Sequence, residues 1–222
     1  MHTATLIGQN DKIPVGKIVC LARNYGEHAR ELGNAVPSEP VLFLKPTSSL
    51  IADGGTTVIP NWAKECHHEV ELALLIGKAG KNIAADEAMA HIAGYGVAID
   101  FTLRDVQTAL KEKGLPWAIA KGFDSSCPLS AFVPAAPFGE KPLFDLALTV
   151  NGESRQNGNS IDMLHAIPAI IAYVSSRFTL EAGDIILTGT PSGVGPVEAG
   201  ETVVATIDKV GSLTVTIQRE TK

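Results

Sequence analysis

The sequence predicts a mixed, β-rich α+β fold with a few covering helices. Short apolar runs alternate with polar residues and are punctuated by glycine, proline and Asn-Gly turns, the pattern of many short strands. Helix-like segments are few and irregularly placed, which argues against a regular βαβ winding. After Gly183 the chain turns strongly β-rich, with "DIILTGTP", "ETVVATID" and "SLTVTIQ" as three strand candidates separated by glycine turns.

Taken in order, Lys17–Leu21 and Val41–Leu44 read as short strands, with a short helix over "NYGEHAREL" between them. Glu69–Ile76 reads as a strand, 88–93 as a helix end, and Gly94–Asp100 as a second buried strand. In "TLRDVQTALKEKG", Thr102 is placed to cap a helix, Asp105 to sit at its third position and Gly114 to end it. Asn151-Gly152 is a strong hairpin signal. In "SIDMLHAIPAIIAYVSS" the spacing predicts the best helix of the chain, capped by Ser160 and kinked at Pro168.

The chain has 222 residues, 45% of them apolar, so it can bury a sizeable core as one domain. No apolar run approaches the ~20 residues that span a bilayer, and the first residues lack a basic region followed by an apolar one. The formal charge of −6, without a basic stripe, argues against nucleic acid as a partner. Cys20, Cys66 and Cys127 are far apart and show no zinc-ligand spacing. A cytoplasmic protein of a reducing compartment is expected.

The stretch "CHHEVELALLIG" raises the chemical question. Glu69 and Glu71 are two apart, so on a strand they share one face, and Ala73 and Leu75 continue that face into the core. An amphipathic strand with both glutamates in water is the common outcome. Two adjacent carboxylates entering a core, however, repel one another unless a cation intervenes. Asp100, ending an apolar strand, adds a third. Three carboxylates without a thiolate favour a hard divalent ion over zinc. His67 and His68 are nearby, but histidines at a strand entry more often support ligands or face solvent.

Other candidates are weaker one by one. His28 and Glu31 are three apart, so a helix would place them on one face, with Glu31 orienting His28 as a base toward water. Taken alone, such a pair is more often a surface pair. Lys45 and Lys121 each end an apolar run; each either reaches solvent along its stem or supplies a fixed charge to an anion. "LTGTPSGVGP" is a glycine-rich turn that lacks the ending of a phosphate loop. Its Thr190 hydroxyl and main-chain N–H groups are suited to a carboxylate, although the same residues also make a plain tight turn.

Together, "RNYGEHARE", "SEPVLFLKP", "HHEVELALLIGK", "GYGVAIDFTLRDVQ", "GLPWAIAKGFD", "SCPLSAFVP" and "GDIILTGTPSGVGP" resemble, in order, the fumarylacetoacetate hydrolase family, in its short acylpyruvate hydrolase branch. The resemblance covers nearly all of the chain from Lys17, leaving residues 1–16 as an N-terminal extension and 17–222 as a single catalytic domain. It implies a rolled, barrel-like mixed sheet and a homodimer. It implies one Mg²⁺ or Mn²⁺ per subunit on Glu69, Glu71 and Asp100. It places His28 and Glu31 at a catalytic dyad on a lid helix, Lys121 at an active-site lysine and Gln107 at a substrate contact. Thr190 falls in the loop that receives the substrate carboxylate, and Arg23 and Lys45 fall within matching motifs.

The activity so implied is hydrolysis of an acylpyruvate, fumarylpyruvate-like or acetylpyruvate-like, to pyruvate and a carboxylic acid, with decarboxylation of oxaloacetate as a second activity. An isomerase or decarboxylase of 2-hydroxydienedioates in aromatic-acid breakdown is the alternative. A non-catalytic β domain holding Ca²⁺ is the competing class.

Overall fold

The structure is a computed structural model that describes residues 2–10, 12–27 and 39–221. It contains the β-rich, mixed architecture expected, with few helices. An eight-stranded sheet carries, in spatial order, Val41–Lys45, Ile18–Ala22, Ile185–Leu187, Val70–Ile76, Ile92–Ile99, Cys127–Leu129 and Leu50–Ala52, with Val133–Pro134 also paired to Ile92–Ile99. A five-stranded sheet follows the order Glu153–Asn159, Asp145–Val150, Thr202–Ile207, Gly211–Arg219 and Thr56–Ile59.

The two central strands of the larger sheet read as continuous apolar runs because both of their faces are covered. Leu72, Leu74, Val97 and Ile99 face the main core, which they share with Leu146, Leu148, Val203 and Val215 of the smaller sheet and with Ile170, Ile171 and Val174 of the Ile167–Arg177 helix. Ala73, Leu75 and Ala98 face a second cluster, with Ile18, Cys20, Ile185 and Leu187. Ala4, Leu6 and Val15, from the first residues of the chain, pack into that second cluster.

Three local expectations are corrected. The strand expected over Glu69–Ile76 begins one residue later, at Val70, and a separate short strand precedes it. Cys66–His68 pairs with Thr102–Leu103 and Gly195–Pro196, Val70–Ile76 joins the large sheet, and Glu69 lies at the junction. Thr102 does not cap a helix. It is in a strand, and the Arg104–Glu112 helix starts after Leu103 without a side-chain cap. Asp105 instead accepts from the main-chain N–H groups of Lys64 and Glu65 at 3.0 and 3.3 Å. The last long helix runs only over Ile167–Arg177, so Pro168 stands in its first turn, where its missing N–H costs nothing, and does not kink it. Ser160 begins a separate 3-10 turn, and its hydroxyl accepts from Phe144 N–H at 2.9 Å. The Asn151-Gly152 hairpin forms as expected, both residues having positive φ (51° and 81°).

Candidate metal centre and substrate cavity

The break between these two strands places the carboxylates. Glu69 precedes Val70–Ile76, Glu71 is its second residue, and Asp100 follows the antiparallel neighbour Ile92–Ile99. A main-chain hydrogen bond from Asp100 N to Glu69 O (2.8 Å) sets the two side by side. One oxygen from each of Glu69, Glu71 and Asp100 lies within 4.8 Å of the others, and all three residues are buried.

Two buried lysines and the partly buried Arg104 surround them. Lys121, at the end of the short helix Ala118–Lys121, donates to Glu69 Oε2 at 2.8 Å and to Asp100 Oδ2 at 2.5 Å. Lys45 Nζ is 2.7 Å from Asp100 Oδ1 and is anchored by the main-chain oxygens of Lys121 and Ser126. Arg104 donates to Glu69 Oε1 at 2.5 Å and to Gln107 Oε1 at 2.7 Å. Neither lysine therefore runs out to solvent along its stem. Glu71 accepts instead from Gly189 N–H at 2.7 Å. Gly189 has φ +93°, and a Cβ there would stand 2.8 Å from Asn24 Cβ, so only glycine presents that N–H.

Burial, then Asp100 and Glu69, push the Glu71 carboxyl well above the usual carboxylate range. Burial pulls the Lys121 ammonium down, but Asp100 and Glu69 outweigh it and leave it raised, so it stays charged.

These residues fit a divalent ion. All three donors are carboxylate oxygens, hard ligands that suit Mg²⁺ or Mn²⁺. Glu71 is held against its own ionisation, the strain that a cation removes. At pH below its raised pKa, Glu71 is expected to lose a proton when Mn²⁺ binds. Since a raised pKa means that protons compete at higher pH, the apparent Mn²⁺ affinity should fall as pH is lowered. Calorimetric titrations in buffers of different ionisation enthalpy would reveal the proton. Identical heats in all of them would contradict the assignment.

The cluster opens onto a cavity of about 110 Å³ lined by Glu69, Glu71, Lys121, Gln107, Thr190 and Arg23, with Arg104 and Lys111 also in its wall. Arg23 takes a left-handed conformation (φ 59°) beside buried Asn24, whose side chain is tied to Thr188 O and His165 O. His67 contacts Glu65 at 2.6 Å and Arg104 at 3.4 Å. His68 is fully buried against Gln156. His28 and Glu31 lie outside the described residues.

The sequence reading missed Arg104 and Gln156. Arg104 had only a weak signal, a cation opening a helix shortly after Asp100, because its partner Glu69 lies 35 residues back along the chain. Gln156 had none, because it comes from a polar edge strand in the other sheet.

The sequence pattern of the fumarylacetoacetate (FAA) hydrolase C-terminal family matches residues 17–218. The chain belongs to that family. It is 52% identical over 196 residues to an oxaloacetate tautomerase of Escherichia coli (strain K12), covering 88% of this chain and 90% of that protein. It is 48% identical over 188 residues to a mitochondrial oxaloacetate decarboxylase of Dictyostelium discoideum, covering 84% and 86%. A crystal structure of fumarylpyruvate hydrolase from Pseudomonas aeruginosa, in complex with Mn²⁺ and pyruvate, superposes with a TM-score of 0.92 at 36% identity, covering 98% of this chain and 96% of that one. The fold is thus that of the FAA hydrolase family, a curled sheet with few helices. A relative named mitochondrial means that family membership does not fix a compartment. Among the described residues, no helix is long and apolar enough to cross a membrane.

Proposed function

We propose that this FAA hydrolase family member is a Mg²⁺- or Mn²⁺-dependent enzyme of 2-oxo dicarboxylic acids, with enol–keto interconversion of oxaloacetate as its principal reaction. The observation that carries this is the buried Glu69–Glu71–Asp100 cluster, whose two glutamates reach the wall of a small cavity rich in cationic side chains. The likeness to an oxaloacetate tautomerase supports the choice of reaction. The proposal includes one ion per subunit, a homodimer and a cytoplasmic location.

Charge supports a dianionic substrate. The three carboxylates are balanced by Lys45, Lys121 and Arg104, so a divalent ion leaves two positive charges for the substrate to neutralise. Arg23 and Lys111 add further positive charge to the wall. Glu69, Glu71 and Asp100 would hold the ion, which when bound supplies Lewis-acid stabilisation of charge on the 2-oxo group.

The residues of the chain do the rest. Lys121 presents an ammonium to an enolate oxygen from a position fixed by two carboxylates. Gln107, oriented by Arg104, lines the same cavity. Thr190 offers its hydroxyl to the substrate carboxylate. His28, polarised by Glu31, is the proposed carrier of the C3 proton, by its place in the sequence motif.

Hydrolysis of acylpyruvates is the second reading, supported by the likeness to fumarylpyruvate hydrolase. It uses the same enolate stabilisation but needs water delivered to the other carbonyl, with His28 as its base. One panel separates the two. With Mn²⁺, the protein should speed decay of enol-oxaloacetate beyond the rate with Mn²⁺ alone. EDTA should abolish this and added Mn²⁺ restore it, while His28→Ala should lower it by about a hundredfold. Pyruvate should form more slowly from acetylpyruvate and fumarylpyruvate. A higher kcat/KM for fumarylpyruvate would reverse the order of the readings.

A further inference from the structure

Gln156 sits in the Glu153–Asn159 strand and is 1% exposed. Two main-chain groups of fixed polarity dictate how its carboxamide lies. Its Oε1 accepts from Val70 N–H at 3.0 Å, and its Nε2 donates to Pro191 O at 3.0 Å. Turned over, the amide would set donor against donor and acceptor against acceptor.

The polarity of its two other contacts follows. His68 Nδ1, 2.9 Å from Oε1, must carry the ring proton. The Thr190 hydroxyl oxygen, 2.8 Å from Nε2, must accept. His68 Nε2 is buried with no partner among the described residues, as suits a neutral ring protonated at Nδ1 and not an imidazolium. A hydroxyl that accepts from Gln156 keeps its own proton for another acceptor, and Thr190 lines the cavity.

We propose that Gln156, fixed by His68, Val70 and Pro191, is a positioning residue that sets the Thr190 hydroxyl as a donor to the carboxylate of the bound 2-oxo acid. This rests on the functional reading given above. The packing of the loop agrees with it. A Cβ on Gly158 would fall 2.5 Å from Pro191 Cβ, and one on Gly193 would strike Arg155 O, so the Thr190 loop lies directly on the strand that bears Gln156.

The test is oxalate binding to the full-length protein with Mn²⁺, in a double-mutant cycle. Gln156→Glu replaces the donor by an acceptor and draws the Thr190 proton away from the cavity. Its oxalate Kd should rise about tenfold or more, as for loss of a hydrogen bond to a charged group. Thr190→Val should match it, and Thr190→Ser should bind nearly as the wild type. In the Thr190→Val background, Gln156→Glu should add less than about twofold. Mn²⁺ affinity without oxalate should stay unchanged, whereas general damage to the site would weaken it.

Equal effects of Gln156→Glu in both backgrounds, or a parallel loss of Mn²⁺ affinity, would overturn the relay. Should the buried carboxylate prevent folding, Gln156→Met takes its place in the cycle, with a rise of about threefold and the same coupling expected. Failure of the wild-type protein to bind oxalate with Mn²⁺ would overturn the functional reading itself, and the relay with it.

Discussion

Asp100→Asn is expected to lower kcat/KM for enol-oxaloacetate by about a hundredfold or more and to weaken Mn²⁺ binding. The side chain keeps its shape, so the loss is one of charge. Electrostatic groups at such sites are individually worth about 10²–10³ in rate, and Asp100 holds two ammonium groups and is a proposed ligand of the ion. Lys121 reaches it at 2.5 Å and Lys45 at 2.7 Å, in a fully buried setting. Removing one partner of a buried ion pair costs about 3–5 kcal/mol, so the ion-free variant should also unfold at lower denaturant. Urea titration with and without Mn²⁺ checks this, and the stabilisation that Mn²⁺ gives the wild type should shrink in the variant. A variant with wild-type Mn²⁺ affinity would remove Asp100 from the ligand set.

Lys121→Met should produce the opposite sign in one of these measurements. Lys121 bridges Glu69 and Asp100, so in the ion-free protein it occupies the electrostatic role that an ion would take. Two like charges 4 Å apart repel by about 4 kcal/mol at an effective dielectric of 20. Removing the ammonium should therefore tighten Mn²⁺ by on the order of tenfold, a conservative share of that repulsion. At the same time kcat should fall by about 10²–10³, because the charge proposed to face the enolate oxygen is gone. Tighter metal with slower turnover is a combination that simple disruption of the site does not give. Calorimetry with Mn²⁺ and steady-state rates at saturating Mn²⁺ measure the two halves. Weaker metal binding in this variant would show that Lys121 supports the ligands and does not compete with the ion.

The carboxylate cluster was legible because strand geometry puts Glu69 and Glu71 on one face and because Asp100 ends the neighbouring apolar run. Sequence spacing could not show that the antiparallel pairing of 70–76 with 92–99 brings Asp100 back beside Glu69. The roles of Lys45 and Lys121 stayed open for the same reason. Their partners are 55 and 21 residues away along the chain, and only tertiary packing decides between a stem reaching water and a buried pair. The helix errors have local causes. Thr102 was drawn into a short strand by pairing with His67, a tertiary contact that overrides capping preference. Pro168 fits the first turn of a helix as well as it breaks an interior one, and the stretch from Met163 to Ala166 is not helical, with Met163 and Ala166 extended. Gln156 carried no sequence signal because its meaning lies in what faces it across two sheets.

One divalent ion is proposed to sit among Glu69, Glu71 and Asp100 with room left for a 2-oxo acid. Anomalous diffraction from crystals grown with Mn²⁺ and oxalate tests it most directly. A single strong manganese peak is expected within about 2.0–2.6 Å of an oxygen of each of the three side chains, with oxalate completing the shell and one of its carboxylates against Thr190. A peak elsewhere in the chain, or none at this cluster at saturating Mn²⁺, would contradict it.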